Sequence, residues 1–169
     1  MIRRKLLQFC LGSIGVCGSL PMFGDNVYEI YPIPHQQVSV NGNIQIVAGK
    51  VQIICGDKID NYTKERLRNI LLEHGIINSD SEIFVSQPTE GFTHIYVGVN
   101  GSNDEADSKA TSLNLNKDIF SLANKYDKHL LSIQNTNGTP EIIILGENTD
   151  ASFIGMASLE QILDNNQYS

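Results

Sequence analysis

Glu141-Ile142-Ile143-Ile144-Leu145-Gly146 and, three residues later, Asp150-Ala151-Ser152-Phe153-Ile154-Gly155-Met156-Ala157-Ser158-Leu159-Glu160-Gln161-Ile162-Leu163 carry the clearest structural signal in this chain. The first run is short, apolar and closed by glycine, as a buried strand is, while the second spaces its apolar residues for a helix. Together they read as a strand entering a helix through a short polar turn, with the helix running from Ala151 or Ser152 to Leu163. Gly155 lets that helix lie close to a sheet, and Phe153, Ile154, Leu159, Ile162 and Leu163 supply its apolar contacts.

Upstream, residues 129–133 form the preceding strand, joined to 141–145 by the Gly-containing connection 134–140, which suits a hairpin with a loose turn. Further strands are expected at Val51 to Ile54, Glu82 to Ser86 and His94 to Val99, the last alternating Ile95, Val97 and Val99 against Tyr96 and Gly98. Val38-Ser39-Val40 and Ile44-Gln45-Ile46 flank Asn41-Gly42-Asn43, whose residues accept the positive φ of a tight turn, so a β-hairpin is expected there. Residues 28–34 contain Pro32 and Pro34 and read as an extended edge segment. A helix begins near Asn61 or Thr63, either of which can cap it, and places Leu67, Ile70, Leu71 and His74 on one face before Gly75. Residues 100–116 turn polar and read as a solvated loop, followed by a short helix over 116–126. The expected fold is α+β: a mixed, mostly antiparallel sheet with two or three helices packed on one face, since the helices are too few to cover both.

At 169 residues the chain is one ordinary domain, with 41% hydrophobic and 18% charged residues, far from a disordered composition. Its first stretch differs in kind. Arg3, Arg4 and Lys5 precede an apolar run from Leu6 to Val16 and then Gly18, Ser19 and Pro21, the layout of a secretory signal peptide over residues 1–24. That run is shorter than the roughly 20 apolar residues a permanent membrane span needs. Cleavage removes Cys10 and Cys17 and leaves Cys55 alone, so no internal disulfide is expected. It also takes three of 12 basic residues, leaving 9 against 19 acids and a charge of −10 instead of −7. Such a domain repels nucleic acid and polyanionic sugars at long range. The expected product is secreted or held at the cell surface, with a folded domain over 25–163 and a polar tail over 164–169.

Few residues invite a chemical reading. The adjacent Asp104-Glu105 resembles an acid pair able to orient and protonate a sugar substrate, but the flanking Gly101-Ser102-Asn103 and Ala106-Asp107-Ser108 mark a solvated loop instead of an apolar pocket. His35, His74, His94 and His129 lack the spacing of paired zinc ligands, and no metal site or cofactor is expected. Cys55 beside Gly56 is a nucleophile only with a nearby base, and burial is the commoner fate of a lone thiol. Gly98-Val99-Asn100-Gly101 is too poor in glycine for a phosphate loop and reads as a turn. Asn61, Asn100 and Asn137 stand in glycosylation sequons, which marks exposed positions.

The closing segment resembles the "strand, Gly, Asp, aromatic-x-Gly, Thr/Ser-Leu-x-Gln-Leu" ending of the N-terminal domain that precedes the catalytic barrel in bacterial β-N-acetylhexosaminidases. Above all it resembles family-84 glycoside hydrolases, the hyaluronidase and O-GlcNAcase-like group. Tyr31-Pro32-Ile33-Pro34-His35-Gln36 resembles the Pro-x-Pro opening of the same domain, so the resemblance spans residues 28–163. In that family a (β/α)8 barrel follows and bears a consecutive Asp-Asp pair that assists attack by the substrate's own acetamido oxygen. This chain contains neither, so the resemblance places no catalytic residue on it. What it implies is the non-catalytic N-terminal domain of a secreted β-N-acetylglucosaminidase or hyaluronidase, truncated before the barrel that would be its partner. An apolar patch of several hundred Å² is then expected where the partner packs. The alternative is an autonomous secreted glycan- or protein-binding module using Tyr28, Tyr31, Tyr96 or Tyr126, and a third reading is a hydrolase built on Asp104 and Glu105.

Overall fold

The structure, a computed structural model, describes residues 6–10, 30–40 and 44–167. In chain order its elements are β1 (Leu6–Cys10), β2 (Gln36–Val40), β3 (Val51–Cys55), α1 (Asn61–Glu73), β4 (Thr93–Val99), α2 (Glu105–Ser112), a 3₁₀ turn (Asp118–Ser121), β5 (His129–Thr136), β6 (Thr139–Gly146) and α3 (Thr149–Gln167). The strands form one sheet in the order β2-β1-β5-β6-β4-β3. β3–β4 and β4–β6 are parallel, whereas β5–β6, β1–β5 and β1–β2 are antiparallel. The fold is therefore α+β with a mixed sheet, as expected. Along β3-β4-β6-β5 the pairing is mostly parallel: the crossover through α1 returns the chain to β4 in the direction of β3, and β5–β6 is the antiparallel pair.

Strand alternation builds two cores. Ile53, Ile95, Val97, Ile142 and Ile144 face Leu67, Ile70 and Leu71 of α1 and Met156, Leu159, Ile162 and Leu163 of α3. Ile54, Tyr96, Ile143 and Leu145 face the other way, toward Ala106 and Ala110 of α2 and Ile119. Two helices thus share one face, but the expectation that the second face lies bare is corrected. α2 covers it over β3, β4 and β6, lying inside the stretch read as a solvated loop. The exposed large apolar side chains, among them Tyr31, Val47, Tyr62 and Tyr126, sit on separate segments.

Other local expectations shift with the packing. The β5–β6 turn is tight, with Thr136 paired to Thr139 across Asn137 (φ 52°) and Gly138 (φ 89°), the positive values a two-residue hairpin turn requires. Ile44 is not in a strand; it enters the core at 1% exposure, and β2 pairs with β1 in place of residues 44–46. Residues 41–43 lie outside the described residues. The strand expected over 82–86 reduces to a bridge between Phe84 and Ile53. The cap of α1 is Asp60, whose Oδ1 accepts from the Thr63 N–H at 2.7 Å, one residue before the caps expected. The helix expected over 116–126 contracts to the 3₁₀ turn, and α3 extends to Gln167 through most of the polar tail.

Leu6–Cys10, inside the stretch expected to be a leader, lies as β1 between β2 and β5. The two segments on which the family resemblance rests meet in space. Tyr31 N–H donates to Gln161 Oε1 at 2.8 Å, and Gln161 Nε2 donates back to the Tyr31 carbonyl at 2.8 Å. Among the described residues no helix is long and apolar enough to cross a membrane.

Candidate functional site

Open α/β sheets bind ligands beyond the carboxyl ends of their parallel strands, where helix N-termini gather. Here that mouth lies at the ends of β3, β4 and β6, beside Gly56, Gly98 and Gly146. A methyl group built on Gly56 or Gly98 would run into the carboxylate of Asp104, and one on Gly146 into Ser152. Asp104 caps α2, accepting from the Asp107 N–H at 2.9 Å and from the Val99 N–H at 3.1 Å. The carboxylate therefore fills the space and takes the amides that an anionic ligand would use.

The same arrangement sets Asp104 and Glu105 in different surroundings. Asp104 is half-buried and committed to the cap, whereas Glu105 is exposed on the first turn of α2. The two acids do not converge on a cleft. Asp107 is buried at 6% exposure and bonded to Lys117 Nζ at 2.7 Å. Burial alone would raise its carboxyl, but Lys117 and the amides of Asn103 and Gly101 outweigh it and hold the group below the usual carboxylate range.

Burial pushes the Cys55 thiol up to about 11, with Lys64 opposing and Asp104 adding, which leaves little thiolate for nucleophilic work. His94 is buried and its Nε2 bonds the Thr89 carbonyl at 2.9 Å. His74 joins α1 to α3 through Asp164, 3.0 Å from its Nε2. His129 is 2% exposed; burial lowers its pKa, and its Nε2 is buried without a partner. His35 is exposed. Among the described residues no three His, Cys, Asp or Glu side chains group as a metal site. Of the tyrosines proposed for stacking, Tyr96 is 4% exposed and cannot meet a sugar; burial, with Glu141 and Glu105, raises its phenol to about 12. Tyr31 and Tyr126 are exposed, and Tyr28 lies outside the described residues.

Sequence reasoning missed the groove between α1 and α3, a cavity of about 240 Å³ lined by Tyr62, Arg66, Ile70, Phe153 and Glu160 among others. Tyr62 and Phe153 stack at 5.1 Å and 11°. The Arg66 guanidinium lies 4.5 Å from the Phe153 ring centre and 3.1 Å from Glu160 Oε2. Phe153 was read as a core contact because aromatic residues at helical spacing usually are. A second depression, of about 310 Å³, lies among Val47, Lys50, Phe92 and Pro140.

No protein-family model matches the chain, and no curated protein does. Among solved structures, that of CpGH84D matches 83% of this chain at 30% sequence identity with a TM-score of 0.69. The chain spans 22% of the length of CpGH84D. This likeness supports a fold related to a family-84 glycoside hydrolase.

Proposed function

We propose that these residues form the non-catalytic N-terminal domain of a secreted or cell-surface β-N-acetylglucosaminidase or hyaluronidase, a glycoside hydrolase of glycosaminoglycans or glycoconjugates. Its chemistry would belong to a (β/α)8 barrel outside residues 1–169. The observation that carries the reading is the match over 83% of this chain to only 22% of CpGH84D, a small part of a larger protein. The reciprocal Tyr31–Gln161 hydrogen bonds support it, since they join the two segments that resemble the family's domain at its opening and its close.

The purified chain is expected to show no turnover of an aryl-N-acetylglucosaminide. Turnover abolished by Glu105→Gln would overturn the reading in favour of a hydrolase built on Asp104 and Glu105. Sequencing the DNA beyond the Ser169 codon is the second test: a barrel with adjacent aspartates, in frame or shifted, is the expected finding. Unrelated sequence there would favour the autonomous binding module, to which Tyr31 at 66% and Tyr126 at 86% exposure give some surface. Glycan capture lost in Tyr31→Ala or Tyr126→Ala would then identify it.

A further inference from the structure

The groove between α1 and α3 sets an aromatic surface beside two carboxylates, Glu65 and Glu73, that have no ion-pair partner among the described residues. Tyr62 packs on Phe153 yet remains 74% exposed. Tyr62, Glu65, Asn69 and Glu73 recur on α1 at intervals of three and four residues, so they form one stripe along the groove they line. Arg66, on the same helix, already shows what such a surface holds. Its guanidinium lies over the Phe153 ring and bonds Glu160, a ring and a carboxylate sharing one planar cation. Tyr62 with Glu65 repeats that set without the cation, for among the described residues neither Glu65 nor Glu73 is in an ion pair.

Charge and size narrow the occupant. Glu65, Glu73 and Glu160 line the groove against the single guanidinium of Arg66, in a chain of net charge −7, so cations are drawn in and anions repelled. The volume of about 240 Å³ lies below the ~300–1,000 Å³ of small-molecule pockets and suits the head of a side chain. A neutral sugar could stack on the ring but would leave the carboxylates without their complement. A guanidinium satisfies both, being flat for the ring and forked for the carboxylate, where an ammonium is neither.

We propose that the α1–α3 groove docks a polypeptide partner through an arginine side chain laid on the exposed surface of Tyr62 and hydrogen-bonded to Glu65. This goes beyond the assignment to a hydrolase and holds or fails independently of it.

The test is a nitrogen-15 NMR titration of the full chain with a hexa-arginine peptide, a hexa-lysine peptide and chitotetraose, with thermal midpoints recorded for every variant. The arginine peptide is expected to shift the amides of Tyr62, Glu65 and Phe153 and to bind about fivefold tighter than the lysine peptide. Tyr62→Ala, or Tyr62→Leu should the alanine variant not fold, should weaken binding by about fivefold, Glu65→Gln should weaken it by a smaller factor, and Tyr62→Phe should retain it. Shifts scattered over the acidic surface and indifferent to Tyr62 would overturn the proposal as general charge attraction. Perturbation of the groove by chitotetraose and not by the arginine peptide would overturn it in favour of a sugar site.

Discussion

The sheet has two unlike halves. In the parallel half, β3, β4 and β6 are each followed by a helix, are buried on both faces, and end beside glycines whose missing side chains make room for helix caps. In the antiparallel half, β5 joins β6 through a two-residue turn and β1 and β2 extend the ladder outward. The parallel half coheres through tertiary packing between elements distant in sequence, and a change there propagates into both cores. The antiparallel half coheres through ladder hydrogen bonds and a local turn, so damage to its outer strands stays local. The seam lies between β5 and β6, bridged by α3, where Gly155 rests on His129 and Ile144.

The difference can be broken most forcefully at Gly146. A methyl group there meets the backbone nitrogen of Ser152, which cannot step aside, so Gly146→Ala should cost about 3 kcal/mol or more in urea unfolding. A loss below about 1 kcal/mol would mean that the first turn of α3 gives way easily. Asp104→Ala removes the acceptor of two amides and should cost about 1–2 kcal/mol. Because the three atoms nearest a methyl group at Gly56 all belong to Asp104, Gly56→Ala should be far better tolerated with Asp104→Gly than alone, and simple additivity in that cycle would sever the proposed contact.

The seam should answer to pH. Burial depresses the folded-state pKa of His129, so the unfolded chain takes up its proton first. Stability present above the ordinary histidine value of about 6.5 is therefore lost as pH falls through the folded-state value. Asp107 and Glu147, both held below the usual carboxylate range, add their own loss only at lower pH, near and below about 4. Thermal midpoints between pH 7.5 and 5 should fall for the natural chain and flatten in His129→Gln.

The smallest effect on overall stability is expected from deleting residues 1–24. Within the sheet β1 pairs with β2 and β5 and not with β3, β4 or β6, so the parallel half should keep its hydrogen-exchange protection while amides of β5 around Leu131 lose theirs. Loss of protection in β4 as well would show that the two halves unfold as one.

The parallel half was the more legible in sequence. The apolar run closed by Gly146 and the Gly155 helix announce a strand, a turn and a helix packed on the sheet, and β4 shows its alternation openly. α2 stayed hidden because its buried face is only Ala106 and Ala110 with Asp107 beside them, too small and polar to register as an amphipathic stripe. Residues 41–43 suggested a hairpin through turn chemistry alone, but Ile44 gains more from the core than from a ladder. The groove was not legible at all, since Tyr62 and Phe153 belong to helices separated by β4, α2, β5 and β6 and become neighbours through the fold alone.

Asp104 sets the character of this end of the sheet. The mouth of its parallel strands comes already stoppered by one of its own side chains, a tethered surrogate for a bound anion whose local concentration never falls. Phosphates and nucleotides therefore have nothing to compete for at the place such sheets usually offer them. Unplugging the mouth by Asp104→Gly would turn a structural cap into a vacant receptor one carboxylate wide, floored by the amides of Val99 and Asp107.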